Sequence, residues 1–274
     1  MDALSRAGTW VATALGRESL PIRLLRPVYE AALDASTLWH GVAWSVNGEP
    51  MRIDPRVRRF VPRLGEPEVQ AALRSTLRAG EIVLDVGSFL GVYAVLEARW
   101  VGPAGRVIAV EPTVANHRHI HRHLALNGVS DRVTVIRAAV GAEDGSATLF
   151  LHDPPFVNRL GAADSEWTAA GTAMTPVRSV DSLCQELGVL PDLIRMDIQG
   201  AELDALRGAR DVIRAGRERL RLIVEMHPHL WGTGDPDARL GAVLDEFGLT
   251  ATPLETPTGN VGPDQHYLLR CASR

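Results

Sequence analysis

The sequence contains no lysine; all 29 of its basic residues are arginine. That absence excludes Schiff-base chemistry on the chain, pyridoxal phosphate enzymes and the lysine of a phosphate-binding P-loop. Cysteine is almost as scarce. Cys184 and Cys271 lie far apart without metal-ligand spacing and read as free thiols in a reducing compartment, so a cytoplasmic location is expected. No stretch approaches the roughly 18 uninterrupted apolar residues of a membrane span. Asp2, Arg6 and Arg17, scattered among mild hydrophobics, do not make a signal-peptide pattern. Positive charge is also lacking, the formal net charge being −4. The one basic run, Arg52, Arg56, Arg58, Arg59 and Arg63, reads as a solvated or salt-bridged face, and nucleic acid is not an expected partner.

What is present is organised around residues 81–91, EIVLDVGSFLG. Ile82, Val83, Leu84 and Val86 suit an inner parallel strand covered on both faces. Asp85 interrupts it with a charge, held by backbone donors or offered to a ligand at the strand's carboxyl end. Gly87 and Gly91 permit a sharp turn, and Ser88 can cap the helix that follows. The spacing is Gly-x-x-x-Gly, not the Gly-x-Gly-x-x-Gly of dinucleotide folds, which disfavours an NAD-dependent dehydrogenase. Glu111 stands twenty residues after Gly91 at the end of the next strand, where an acidic residue binds ribose hydroxyls in nucleoside-binding α/β folds.

The periodicities predict helices over 66–77, 92–100, 116–126, 180–187, 201–214 and 239–247. They predict strands over 82–86, 106–110, 132–138, 193–198, 220–226, 250–254 and 265–271. The turn at 141–145 is too short for a helical crossover, so residues 147–151 are expected to return antiparallel as a hairpin. Residues 152–175 read as a mobile loop over the substrate. His117, His119, His121 and His123 fall on one helix with arginines interleaved and no carboxylate beside them, which suits an exposed polar face better than a metal chelate. The expected architecture is a doubly wound, mostly parallel seven-stranded α/β sheet with an extra β-hairpin. Residues 1–65 form an N-terminal helical extension, a lid or a homodimer surface, and 66–274 the main domain.

The blocks VLDVGSFLGVYAV, VIAVEP followed by Asn116, MDIQGAELDALRG and VEMHP, at this spacing, make the chain resemble the FkbM family of S-adenosylmethionine-dependent methyltransferases. The resemblance covers about residues 66–271. It implies a class I methyltransferase (Rossmann-like) fold and O-methylation of a hydroxyl on a small molecule, a sugar or natural-product scaffold. Carried over position by position, Asp85, Gly87, Ser88 and Gly91 would hold the methionine part of the cofactor and Glu111 its ribose. Asn116 would order that region, and Ala138 and Ala139 would lie near the adenine. The family commonly has glutamate where this chain has Gln199.

Methyl transfer from a sulfonium requires alignment and, for a hydroxyl of high pKa, removal of its proton. Neutral imidazole suits that role, and the neighbouring fourth and fifth parallel strands bring Asp197 and His227 to one cleft. His227 is therefore the expected base, with Asp197 orienting it or acting beside it. Alternatively Asp197, Glu202 and Glu225 gather Mg2+, which would lower the hydroxyl's pKa. Two other readings stay open. Asp153, Pro154, Pro155 and Phe156 match the motif by which amino methyltransferases grip a base nitrogen, and the chain could instead be a non-catalytic cofactor-fold protein.

Overall fold

A computed structural model of the protein describes residues 39–152, 158–160, 169–217, 219–255 and 264–272, together with 32 and 35–37. In the described part of the N-terminal segment, residues 32 and 35–37 are helical, but a β-hairpin stands where more helix was expected. Strands β1 (Val42–Val46) and β2 (Glu49–Ile53) pair antiparallel across Asn47 and Gly48, both at positive φ (45° and 89°). That is the two-residue hairpin turn whose twist matches its strands, and Asn-Gly is its usual sequence. A 3-10 turn, Pro55–Phe60, follows.

The main domain opens with α1 (Pro67–Thr76), β3 (Ile82–Val86), α2 (Val92–Val101), β4 (Arg106–Val110), α3 (Val114–Leu126) and β5 (Val133–Ile136). The strand expected over 132–138 ends early. Ala139 and Val140 leave the sheet as β6 and pair parallel with β9 (Ala169–Arg178). Between them run β7 (Gly145–His152) and β8 (Arg159–Leu160), and β7 pairs antiparallel with both β9 and β8. The expected hairpin is thus a separate four-stranded sheet in the order β6-β9-β7-β8, and residues 169–175, expected in a loop, are strand.

Then come α4 (Val180–Leu187), β10 (Leu193–Met196), α5 (Glu202–Arg207), α6 (Arg210–Gly216), β11 (Arg221–Met226), α7 (Pro236–Phe247), β12 (Leu249–Pro253) and β13 (Gln265–Cys271). The single helix expected over 201–214 is broken. Gly208 gives its carbonyl to the Asp181 amide (2.8 Å), and the Asp181 carboxylate accepts from the amides of Asp211 and Val212 to start α6.

The main sheet runs β12-β13-β11-β10-β3-β4-β5. Its last five strands are parallel and β13 is antiparallel to both neighbours, the class I methyltransferase arrangement. Alternate residues face opposite layers. Leu84, Val86, Ile194, Met196 and Val224 pack with α4 to α7, while Val83, Val107, Ala109 and Leu193 pack with α1 to α3 and the N-terminal hairpin. The chain winds from β3 outward to β5, then crosses to β10 and winds the other way. The carboxyl ends of β3 and β10 therefore flank a topological switch point, where open α/β sheets bind ligands. No helix among the described residues is long and apolar enough to cross a membrane.

Candidate active site

At the end of β3 the amides of Gly87 and Ser88 both donate to the Val110 carbonyl (2.9 and 3.1 Å), which draws the turn against the end of β4. Gly87 is at φ 82°, and a Cβ there would stand 1.9 Å from the Asp197 carbonyl oxygen. Only glycine permits this approach of the two strand ends. Phe89, itself at φ 49°, donates its amide to Glu111 Oε2 (3.0 Å). Glu111 Oε1 accepts from the Thr113 amide (2.9 Å) and Asn116 Nδ2 (3.0 Å). Burial raises the Glu111 pKa, and these three bonds oppose the shift.

Across the switch point, Arg195 and Asp85 occupy paired positions of β10 and β3 and point into the same layer. The guanidinium meets Asp85 Oδ1 at 3.0 Å and Asp197 Oδ2 at 3.1 Å, and lies 4.2 Å over the Tyr93 ring. Burial opposes its charge, but Asp85 and Asp197 outweigh that and hold it protonated. The Tyr93 hydroxyl donates to Glu66 Oε2 (2.9 Å), tying the start of α1 to this centre. Beneath it Glu97 is buried without a partner, and burial together with the charge of Asp85 raises its pKa.

His227, just past β11, is 1% exposed. Its Nδ1 lies 2.8 Å from Glu202 Oε1 and its Nε2 2.9 Å from Gln199 Nε2. Glu202 also accepts from the Gly200 amide (2.8 Å) and Trp231 Nε1 (3.0 Å). Burial depresses the His227 pKa, but the hydrogen bond and charge of Glu202, with Asp197 and Glu225 behind, carry it up to about 9. Burial and the charge of Asp197 push Glu225 up to about 7 against a bond from His266. One cavity of about 580 Å3 joins the two sides, running from Glu111 and Ala138 past Gly87 to Asp197, Glu225 and His227. Arg59–Pro62, Glu66 and Asn158–Leu160 wall it. Its volume is that of a small-molecule site.

A model of the methyltransferase FkbM domain matches residues 85–247, more than half of the chain. The chain belongs to the FkbM methyltransferase family. A curated relative, "Methyltransferase 1" of Beauveria bassiana (strain ARSEF 2860), is 26% identical over 149 residues, 47% of this chain and 58% of that protein. The match thus spans little more than half of the relative's length. Solved structures similar to this chain include ribosomal protein L11 methylase of Lactobacillus delbrueckii subsp. bulgaricus, 12% identical, with a TM-score of 0.47 over 75% of this chain and 78% of that one. A SAM-dependent methyltransferase of Aquifex aeolicus is 16% identical, with a TM-score of 0.43 over 73% and 87%.

In this FkbM-family chain, Gly87, Ser88, Glu111, Asn116, Ala138 and Ala139 line the cavity. Asp85 and Gly91 do not. Asp85 is fully buried, spent on Arg195 and on the Ser88 hydroxyl, which donates to it instead of capping α2. Gly91, at φ 75°, is the residue that enters α2, and a Cβ on it would crowd Ile120 at 3.1 Å. S-adenosylmethionine suits this lining: Glu111 Oε2 accepts one bond and keeps a lone pair for a ribose hydroxyl.

Magnesium does not suit the expected ligand set. Both oxygens of Glu202 are turned inward onto three donors, so Glu202 cannot join Asp197 and Glu225. His227 comes within 4.8 Å of those two, but Arg195 and the Gln199 amide already donate to Asp197. A cation there would face two sets of N–H donors. The ring nitrogens of His227 meet Glu202 and Gln199, and Asp197 reaches the imidazole only through Gln199. The histidine helix is likewise corrected, because His123 is fully buried, its Nδ1 on the Leu90 carbonyl (2.7 Å) and its Nε2 accepting the Asp54 amide (2.9 Å). Asp153 to Phe156 lies outside the described residues.

Sequence reasoning missed Arg195, Tyr93 and the inward role of Glu202. Arg195 left a signal, a cation inside the apolar run LIRMDI that a buried strand tolerates only with a partner.

Proposed function

We propose that this FkbM-family methyltransferase is an S-adenosylmethionine-dependent O-methyltransferase for a hydroxyl of a small molecule, a sugar or natural-product scaffold, working in the cytoplasm. The observation that carries the reading is a buried histidine, backed by a carboxylate, facing the same cavity as the glycine turn. When bound, S-adenosylmethionine supplies a methyl carbon on a sulfonium, with sulfur as the leaving group. Gly87 and Ser88 would hold its methionine part, Glu111 its ribose, and Ala138 and Ala139 its adenine.

His227 acts as the general base, taking the hydroxyl proton on Nε2. Glu202 stabilises the imidazolium so formed. Asp197, neutralised by Arg195, anchors Gln199 at the mouth of the site rather than sharing the proton. The deep placement of His227 keeps water from competing with the acceptor.

Thermal-shift titration with S-adenosylhomocysteine tests the cofactor, and a stabilisation that rises with ligand concentration is expected. A panel of hydroxylated sugars and polyketide-like alcohols, scored by release of S-adenosylhomocysteine, tests the acceptor class. Transfer only to amino groups would overturn O-methylation. Full loss of turnover in chelator, restored by magnesium, would replace the base mechanism by a metal-assisted one.

A further inference from the structure

We infer that Glu202 is a positioning residue for His227: it fixes the imidazole proton on Nδ1 and turns Nε2 to the place now filled by the Gln199 amide, where the acceptor hydroxyl docks. This rests on reading His227 as the base.

The inference follows from donors and acceptors alone. Glu202 is fully buried, and its two oxygens accept from Gly200 N, His227 Nδ1 and Trp231 Nε1 at 2.8 to 3.0 Å. An ionised carboxylate only accepts, so Nδ1 must be the donor, and in the neutral ring Nε2 is left bare. Gln199 Nε2 lies 2.9 Å from that nitrogen and 3.3 Å from Asp197 Oδ1. Asp197 also only accepts, so the amide presents its NH2 end to both groups, and one N–H points at the lone pair of Nε2. An acceptor O–H makes the same donation, and it must displace the amide to do so.

Backbone geometry supports a built feature at Gln199. It sits at φ 51°, a conformation that a non-glycine residue holds at a cost and that recurs at functional sites. Gly200, at φ 100°, follows it and supplies the amide that orients Glu202. The short turn 199–200 thus places the stand-in donor on one side of the imidazole and helps aim the carboxylate on the other. A helix-start carboxylate with no further role would leave His227 free to choose its tautomer.

The test is NMR of protein carrying 15N-labelled histidine, with His227 assigned by the His227→Gln variant and read at a pH where its ring is neutral. The wild type is expected to show the Nδ1–H tautomer in about tenfold or greater excess, as one hydrogen bond to a buried charge dictates. Glu202→Gln should bring the two tautomers toward parity, and Glu202→Asp should restore much of the excess. Gln199→Ala should leave the tautomer unchanged and move only the Nε2 resonance. A wild-type ring protonated on Nε2, or an unchanged tautomer in Glu202→Gln, would overturn the inference. If Glu202→Gln does not fold, the wild-type tautomer and the milder Trp231→Phe, expected to keep Nδ1–H, still decide it. None of these readouts needs an acceptor. Should the tautomer be as stated while His227→Gln still transfers methyl at full rate, the base assignment fails and the positioning role of Glu202 stands.

Discussion

At His227, the proposed base, two opposed effects set the pKa. Burial alone would leave a neutral imidazole and a weak base, whereas Glu202 carries its pKa to about 9. A base that strong is suited to an alcoholic proton, but most of it is charged at pH 7. Since kcat/KM reports groups of the free enzyme, it should climb about tenfold per pH unit from neutrality and level off near pH 9. The profile is measured by S-adenosylhomocysteine release, and a plateau already reached at pH 7 would remove His227 from the role. His227→Asn should abolish turnover and leave calorimetric cofactor affinity nearly intact. At this scale the sequence was legible where residue type and strand-end position decide placement, which brought Asp197 and His227 to one cavity. It was not legible where a role depends on a cross-strand partner. Asp85 looked ready for a ligand because Arg195, 110 residues on, is its neighbour only once β3 and β10 pair.

At the scale of elements, the β3 turn and α3 together shape the cofactor side. In Gly87→Ala the new methyl would collide with the Asp197 carbonyl, and alanine would also be strained at φ 82°. We expect loss of about 1–3 kcal/mol of stability from strain alone, and at least a tenfold loss of affinity for S-adenosylhomocysteine in calorimetry; unchanged affinity would show that the turn does not seat the cofactor. Helix α3 reaches the same turn through His123, which links Leu90 to Asp54 in β2's trailing loop. Burial, chiefly, lowers the His123 pKa from its ordinary 6.5 to about 4. Between those values the unfolded chain binds a proton that the native state refuses, so the contribution is complete above pH 6.5 and is lost as pH falls toward 4. The loss is about 3 kcal/mol at 1.36 kcal/mol per unit. Glu225, raised from 4.5 to about 7, acts with the opposite sign over much of that window. The comparison is therefore wild type against His123→Gln in urea at pH 7 and 4.5, and the variant should lose less stability on acidification. The Asn47–Gly48 turn was present in the sequence as a hairpin signal, but the segment around it was expected to be helical. Four histidines in one helix hid the buried one, because exposure is decided by the hairpin that covers His123.

The described residues form two apolar layers, one on each face of the sheet, and the N-terminal hairpin belongs to one of them. Fold class was legible because each strand and helix carries its own periodicity, whereas the reversal of β13 is seen only in its pairing with β11 and β12. What covers the sheet beyond α1 to α3 was not, since that packing is long-range and residues 42–61 offer no amphipathic helix. Val42, Val46, Met51, Ile53, Val57 and Val61 are all buried in the cluster that also holds Val69, Leu73, Ile120 and Leu124. At about 1.5–3 kcal/mol for each side chain, their burial comes to on the order of 10 kcal/mol, an upper figure because unfolded chains already bury part of it. Domains have net stabilities of about 5–15 kcal/mol, so removing this segment is expected to unfold the domain, as removing a lid would not. A variant lacking residues 1–65 would expose the far side of α3, strip the Asp54 amide from His123 and remove Glu66's approach to the cavity. It is expected to show no cooperative unfolding transition by calorimetry and no binding of S-adenosylhomocysteine. A separable lid or a pure dimer surface would give the contrary result, a truncated protein that melts near the wild-type temperature and still binds the cofactor product.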